Sequence, residues 1–447
     1  MDSTLLIAIG AGIIVLLVLI LKFRIQAFIA LLIASIVVGI IAGMEPIVIV
    51  ETIQKGMGST LGFVAVVVGL GAMFGAILEH SGGAEAVASF LLKHFKEKGT
   101  SWALMLTGFL IAIPVFFDVA FIILVPMIYS LQRRSGKSLL LYGIPLLAGL
   151  AITHSFIPPT PGPVAVAEIL NADLGWVIVF GFIVGIPTAI LSGPVFGRYI
   201  AKRIHIDAPE LIDSIQKEDS TRPSVGMILA IIGLPIILIV CNTLLTSPLA
   251  EGWVSDSVIS WIELIGHPFF ALILANLIAW YLLGLRRGTS SKILQTITGK
   301  SLGPAGIIIL LTGAGGVFKQ MLIETGTGTM LADYFKELGL GIFAVAFILA
   351  ALVRMLQGSA TVAMITAAGV VAAFLKADPL SAMDTALLVI AIASGASILS
   401  HVNDSGFWLV SKYLGMTERQ TFRSWTIMTT ILALVGISTV AVLSLLV

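Results

Sequence analysis

Charge and cysteine are what this chain of 447 residues has least of. Only 11% of its residues are Asp, Glu, Lys or Arg, against about 25% in soluble domains. The net charge is +1, so nucleic acid would find no electrostatic hold and is not expected as a partner. A single cysteine, Cys241, excludes an intramolecular disulfide framework and reads as a lipid- or core-facing filler. Catalytic signatures are missing too. There is no His-Glu-x-x-His and no Gly-x-Ser-x-Gly. The phosphate-loop-like Gly136-Lys-Ser and Gly299-Lys-Ser have Leu131 and Leu294 where the required earlier glycine would stand. ATP hydrolysis and metal-dependent proteolysis are poorly supported, no cofactor or metal is expected, and the chain does not read as an enzyme.

What is present is apolar. With 58% hydrophobic residues and a mean hydropathy of +1.10, the chain reads as an all-α polytopic membrane protein whose solvent is a lipid bilayer. Taking roughly 20 apolar residues per crossing, the sequence predicts spans near 4–21, 25–43, 60–79, 138–168 and 175–197. A second set falls near 226–247, 258–284, 303–324, 382–412 and 423–447. The first apolar run follows Asp2, lacks a basic lead-in and a small-residue cleavage site, and is long enough to span, so it is expected to be a retained helix. Within each half, two apolar arms too short to cross flank a polar or proline-marked tip. These predict re-entrant hairpins at 102–131, tipped by Pro114 to Asp118, and at 341–374, tipped by Arg354 to Thr361.

Five spans per half require the halves to have opposite orientation. With both termini outside, only Lys55, Lys336 and Lys376 of the loop cations fall outside and the rest fall in the cytoplasm, as the positive-inside rule asks. An offset of 244 residues aligns Gly71, Phe74, Leu78, Ser81 and Gly82 with Gly315, Phe318, Leu322, Thr325 and Gly326. It also aligns Thr160, Gly162, Val166 and Leu170 with Asp404, Gly406, Val410 and Leu414. The expected architecture is therefore two inverted repeats, 1–205 and 225–447, each with about five transmembrane helices and one hairpin. A charged cytoplasmic linker, 206–224, joins them through Asp207, Glu210, Asp213, Glu218 and Asp219.

Chemistry is concentrated where lipid would not tolerate it. His154-Ser-Phe-Ile-Pro-Pro-Thr-Pro-Gly-Pro163 and His401-Val-Asn-Asp-Ser-Gly406 lie inside otherwise apolar spans, one in each half. Irregular backbone and polar side chains survive at that depth only where protein or a water-filled cavity satisfies them, so both mark broken helices at a site. The prolines end the helix and free carbonyls, so that Ser155, Thr160 and Gly162 on one side, and Asn403, Asp404, Ser405 and Gly406 on the other, can line a cavity. Such breaks can hold Na⁺ as well as an organic solute.

Arg354 stands one turn before Gln357-Gly-Ser-Ala-Thr361. A guanidinium there is a bidentate partner for a carboxylate. Gly358 allows close backbone approach, and Gln357, Ser359 and Thr361 can bond hydroxyls; together they suit a polyhydroxylated acid. The structural alternative is an ion pair between Arg354 and Asp118 or Asp404. Asp118, after Phe116-Phe117, is a candidate proton-coupling carboxylate and a candidate N-cap of the arm starting at Val119, two roles that do not exclude each other. Asp404, His154 and His401 are further coupling candidates, each histidine being equally able to serve as a hydrogen-bonded structural group. Lys319 either pairs with Glu324 or snorkels outward.

Five segments carry a family resemblance: Phe116-Phe-Asp-Val-Ala120, His154 to Pro163, Gly313-Ala-Gly-Gly-Val-Phe-Lys-Gln320, Gln357-Gly-Ser-Ala-Thr-Val-Ala363 and His401-Val-Asn-Asp-Ser-Gly-Phe-Trp408. In order and over essentially the whole chain, they resemble the gluconate permeases, proton-linked sugar-acid symporters of bacterial inner membranes. The resemblance implies the ion-transporter fold, a scaffold with two opposing hairpins, a homodimer and elevator-like alternating access. It also implies a gluconate-like carboxylate as substrate and the proton as coupling ion. Related carriers take idonate, D-serine and other small hydroxy acids, which widens the implied substrate class. One departure touches the site: many relatives read Pro-Pro-His-Pro-Gly-Pro where this chain has Thr160. A Na⁺-coupled carrier is the alternative within the class. Outside it stand a passive anion channel, which would need no titratable group, and an intramembrane hydrolase built on Asp118 and Asp404.

Overall fold

A computed structural model describes residues 3–209, 223–250, 255–326, 341–375 and 378–447. Among these residues the secondary structure is helical throughout. Eight helical stretches are long and apolar enough to cross a membrane. The predicted linker residues Glu210, Asp213, Lys217, Glu218, Asp219 and Arg222, and the outer cations Lys336 and Lys376, lie outside the described residues.

The first half runs through α1 (Ser3–Leu21), α2 (Ala27–Ile41), α3 (Pro46–His80) and α4 (Gly83–His94). It continues through α5 (Lys96–Ile111), α6 (Phe117–Ser135), α7 (Leu140–Phe156), α8 (Pro161–Leu170), α9 (Leu174–Ile190) and α10 (Phe196–Ala201). The second half holds α11 (Val225–Thr246), α12 (Asp256–Gly266), α13 (Pro268–Ala279) and α14 (Ser291–Glu324). Then come α15 (Ile342–Gln357), α16 (Ala360–Leu375), α17 (Ala382–Ala396), α18 (Ser405–Tyr413), α19 (Glu418–Thr421) and α20 (Ile427–Leu443).

Two long helices form the frame. α3 has 35 residues and opens with Pro46 at its first position after extended Glu45. α14 has 34 and is capped by Ser290, whose hydroxyl accepts the Ile293 N–H. They pack antiparallel, with Gly56 against Val317 and Gly69 against Leu302. Contact is backbone to backbone, because a methyl group at Gly56 would lie 2.7 Å from the Val317 Cα. Lys55 and Glu324 close one end of the pair at 2.8 Å. Gln320 donates to the same carboxylate at 2.8 Å, so Glu324 does not serve Lys319 as the sequence suggested; Lys319 instead interacts electrostatically with Glu168 on α8.

Each predicted hairpin holds two helices joined by a short link. In the first, α5 and α6 are joined at 112–116, and in the second, α15 and α16 are joined at Gly358-Ser359. Arg354 therefore sits in the last turn of an arm and not in the tip itself. α6 begins two residues earlier than expected. Phe116 is its N-cap residue and Asp118 lies within its first turn, so Asp118 is not the cap. The first tip is seated against α3, where a methyl at Gly75 would fall 2.0 Å from the Pro114 carbonyl oxygen.

Both polar spans are broken. α7 stops at Phe156, Pro158 and Pro159 interrupt the chain, and Pro161 opens α8; the Pro158–Pro159 peptide is cis. α17 stops at Ala396, and seven non-helical residues follow before Asp404 caps α18 by accepting the Gly406 N–H at 3.0 Å. These broken elements occupy the interior. The most apolar window of α7–α8 is 83% buried, against 22% for α1 at the perimeter.

One predicted span divides. The segment 258–284 was expected to cross as one helix, but α12 ends at Gly266 and His267 is extended (ψ 134°) before Pro268 begins α13. A residue before proline is driven out of the helical region. The crossing is therefore Pro268–Arg287, and α12, at 11 residues, is too short to span. The amphipathic α4 between the third span and the first hairpin was not foreseen.

Candidate substrate site

Both hairpin tips and the second break meet at one cavity of about 490 Å³, within the roughly 300–1,000 Å³ of small-molecule sites. Phe117 and Asp118 line it from the first turn of α6. Ala151, His154 and Ser155 come from the end of α7, and Arg354, Gln357, Gly358, Ser359, Ala360 and Thr361 from the α15–α16 turn. The far wall is Ser397, Asn403, Asp404, Ser405 and Gly406, closed by Leu409, Trp425, Thr429 and Leu432.

Arg354 is the charged anchor. Its residue is 5% exposed, and its Nη2 donates to Asp404 Oδ2; Asp404 is itself 8% exposed. Of the two structural partners left open by the sequence, the structure selects Asp404. The guanidinium is not fully used: the buried Nε hydrogen has no partner. Asp404 is held from three sides, by Arg354, by the Ser400 hydroxyl on Oδ2 and by the Gly406 N–H on Oδ1. Ser400 is in turn fixed by the Trp425 indole N–H (2.6 Å), and its own backbone N–H donates to Thr429 Oγ1 (3.2 Å) while its carbonyl accepts from Thr426. This clamp holds a strained neighbour, since Leu399 has φ +46°, a left-handed conformation that costs a non-glycine residue roughly 1–2 kcal/mol.

The second tip is shaped by close approach. Gly358 has φ +92°, and a methyl there would lie 2.3 Å from the Asn403 carbonyl oxygen. Only glycine lets the α15 end and the break touch. The orphan carbonyls ending α15 are then satisfied from the break: Asn403 Nδ2 donates to Met355 O and Leu356 O at 3.0 and 3.2 Å, and the His401 ring nitrogen Nε2 meets Met355 O at 2.9 Å. Because a carbonyl can only accept, Nε2 of His401 carries a hydrogen.

Three candidates from the sequence stand elsewhere. His401 is committed to the Met355 carbonyl and does not line the cavity. Thr160 spends its hydroxyl on Ile157 O at 2.6 Å and faces a separate hollow between Gly71, Pro114 and the proline run, with room for a single water at most. Gly162 is pressed on α16, where a methyl would lie 2.8 Å from the Met364 sulfur. The proline break is packed away from this cavity.

The first half reaches the cavity instead through Ser155, whose hydroxyl accepts from Ser397 at 3.0 Å, and through His154 and Asp118, which interact electrostatically. His154 Nδ1 is buried and has no hydrogen-bond partner. The aromatic wall escaped sequence reasoning: Trp425 lies 5.7 Å from the Phe117 ring, on a π-helical turn, Phe422–Thr426. The signal was the cluster of Thr426, Thr429 and Thr430 in an otherwise apolar span, and such turns gather at functional sites.

The profile of GntP family permeases matches residues 4–446. The chain belongs to that family. It is 41% identical over 447 residues to a gluconate permease of Pseudomonas aeruginosa, covering 99% of this chain and 98% of that one. It is likewise 41% identical to a low-affinity gluconate transporter of Escherichia coli K12, over 97% and 96% of the two chains. The Gnt-II system L-idonate transporter of the same organism is 36% identical, with 97% of each chain covered. Among solved structures, the YdaH transporter of Alcanivorax borkumensis, described as having an unusual topology, superposes with a TM-score of 0.58 over 87% of each chain at 14% identity. That likeness is one of fold. The GntP permease described here is thus a multi-pass membrane transporter, and the polar cavity at the meeting of its hairpins is the candidate for the solute it carries.

Proposed function

We propose that this GntP permease imports gluconate or a closely related sugar acid by proton symport with alternating access, across a bacterial inner membrane. Arg354 carries the reading: a buried guanidinium with an unused N–H, at the edge of a cavity of suitable size, is the group a carboxylate needs. Around it, Gln357, Ser359, Thr361, Ser155, Asn403 and Ser405 offer donors and acceptors to a chain of hydroxyls. The names of the relatives support the substrate class, and the L-idonate transporter supports some breadth within it.

Asp118, Asp404 and His154 line the cavity and are the proton-coupling groups of this reading. The proposed architecture has each hairpin entering the bilayer and returning to its own side, with the halves inverted. Antiparallel packing of α3 and α14, which fall at equivalent positions under the 244-residue offset, supports the inversion. Both termini are placed outside, and a homodimer is expected from the family resemblance.

Labelled gluconate, offered to proteoliposomes under a pH gradient, a Na⁺ gradient or neither, tests this reading. Saturable accumulation under the pH gradient alone, lost in Arg354→Ala, is the expected outcome. Accumulation under Na⁺ alone would replace the coupling ion, and non-saturating flux would indicate a channel.

A further inference from the structure

The Arg354–Asp404 pair leaves the empty site with one buried positive and one buried negative charge, and Arg354 with an unused Nε hydrogen. A monovalent acid arriving at that guanidinium adds a second carboxylate beside the first. Two carboxylates crowded on one buried cation do not both stay ionised; one of them takes a proton. We propose that Asp404 is the residue that takes it, so that each monovalent acid is carried with one proton and no net charge. This rests on the sugar-acid symport reading above.

The surroundings single out Asp404 over the substrate. The arriving carboxylate inherits Arg354, whereas Asp404, once displaced, keeps only the neutral donors Ser400 and Gly406. The other titratable groups facing this corner are Asp118 and His154 across the cavity. His401 is held by Met355 O, and Lys412, Glu418, Arg419 and Arg423 on the adjoining elements are exposed. In the cycle, the proton enters from outside water onto an Asp404 carboxylate oxygen while the substrate pairs with Arg354. On the inner side the substrate leaves, Asp404 loses the proton to water, and the Arg354–Asp404 pair re-forms. The site is neutral when loaded (Arg⁺, protonated Asp, substrate⁻) and neutral when empty (Arg⁺, Asp⁻). Both forms can therefore move through a low-dielectric interior, whereas a singly charged site would be held back.

Asp404→Asn separates the two movements. With substrate bound its site is still neutral; empty, it carries an unpaired Arg354. Full-length protein in proteoliposomes is therefore expected to exchange internal for external labelled gluconate while net uptake driven by a pH gradient falls roughly 10²–10³-fold, the penalty of an uncompensated buried charge. Wild-type uptake should not respond to a valinomycin-clamped potassium potential, because one net charge crossing 100 mV would change the accumulation ratio about 50-fold. Ser400→Ala, which keeps both charges but removes one donor from the Asp404 carboxylate, should shift the pH midpoint of uptake upward, a change that loss of packing alone would not make.

Failure of the wild type to accumulate gluconate under any pH gradient would overturn the symport reading and this inference with it. PH-driven uptake in the wild type with normal net uptake in Asp404→Asn would overturn the inference alone, as would acceleration by an inside-negative potential. If Asp404→Asn does not fold, Ser400→Ala and the wild-type voltage response decide. An unmoved pH midpoint sinks the role of Asp404, and a moved midpoint with voltage-independent uptake sustains it.

Discussion

The two broken helices answer the same problem in opposite ways. In the first, Pro158 and Pro159 keep the helix from continuing by removing N–H donors, Pro161 and Pro163 stand in the first turn of the next helix, and the chain around them is packed against α3, α16 and the first hairpin tip. In the second, Ser397 to Asp404 contains no proline; the helix ends because Ser400, Asn403 and Asp404 offer their own hydrogen bonds in its place. Thr160 and Asp404, 244 residues apart, both stand at the N-cap of the helix that follows. One holds its neighbour's carbonyl and the other faces the cavity with Arg354. A break made by subtraction becomes structure, and a break made by polar replacement becomes a site. The histidines run the other way: His154, before the proline break, lines the cavity, and His401 in the polar break is a helix-end partner.

The contrast can be broken most forcefully at Arg354. Arg354→Ala should abolish uptake and lower stability by about 3–5 kcal/mol, because Asp404 is left buried and unpaired. Adding Asp404→Asn should restore most of the stability and none of the uptake, measured as thermal unfolding in detergent beside transport. The next effect compares two glycines. Gly358→Ala forces a methyl into the Asn403 carbonyl at φ +92° and should cost about 1–3 kcal/mol with loss of uptake. Gly162→Ala meets only the movable thioether of Met364 and should cost less than about 1 kcal/mol with uptake kept. Equal losses at the two positions would erase the distinction between the breaks.

Smaller effects sharpen it. His401→Ala should cost about 1 kcal/mol by leaving the Met355 carbonyl one donor short, and should leave the pH profile of uptake where it was. A moved profile would return His401 to the coupling machinery. Thr160→Val, which removes one hydroxyl bond to Ile157 O, should lower stability by about 1 kcal/mol and leave the KM for gluconate unchanged. A raised KM would put the proline break back in the binding site.

Most of the apolar helices and both breaks were legible because lipid tolerates so little: an arginine, an aspartate or a proline run inside apolar sequence must be accounted for locally. Arg354, Gln357 to Thr361 and Asn403 to Gly406 were found on that ground. Which acid pairs with Arg354 was not legible, since Asp118 and Asp404 differ in the fold and not in residue type. Thr160 and Gly162 were placed in the cavity because they align with Asp404 and Gly406, yet alignment preserves the helix cap and says nothing of what faces it. Trp425 and Thr429 went unnoticed because aromatic and hydroxyl groups are ordinary in apolar helices. The division at His267-Pro268 was visible in the dipeptide and was outweighed by the hydropathy around it.

At 1.5 Å per residue, α3 and α14 are each about 50 Å long, whereas the hydrocarbon layer is roughly 30 Å thick and the bilayer with its headgroups about 40–45 Å. Even tilted by about 40°, the upper end of the usual range, rods of that length still cover about 40 Å along the bilayer normal, past the hydrocarbon layer and into both headgroup layers. Locked together at Gly56 and Gly316, they must take up any tilt as one body. Lys55 and Glu324 pair near one end of that frame, both side chains exposed. The frame is thereby moored to both faces of the membrane at once, so its height is set by bilayer thickness, and a change of lipid would act on this protein first as a change in the angle of that frame.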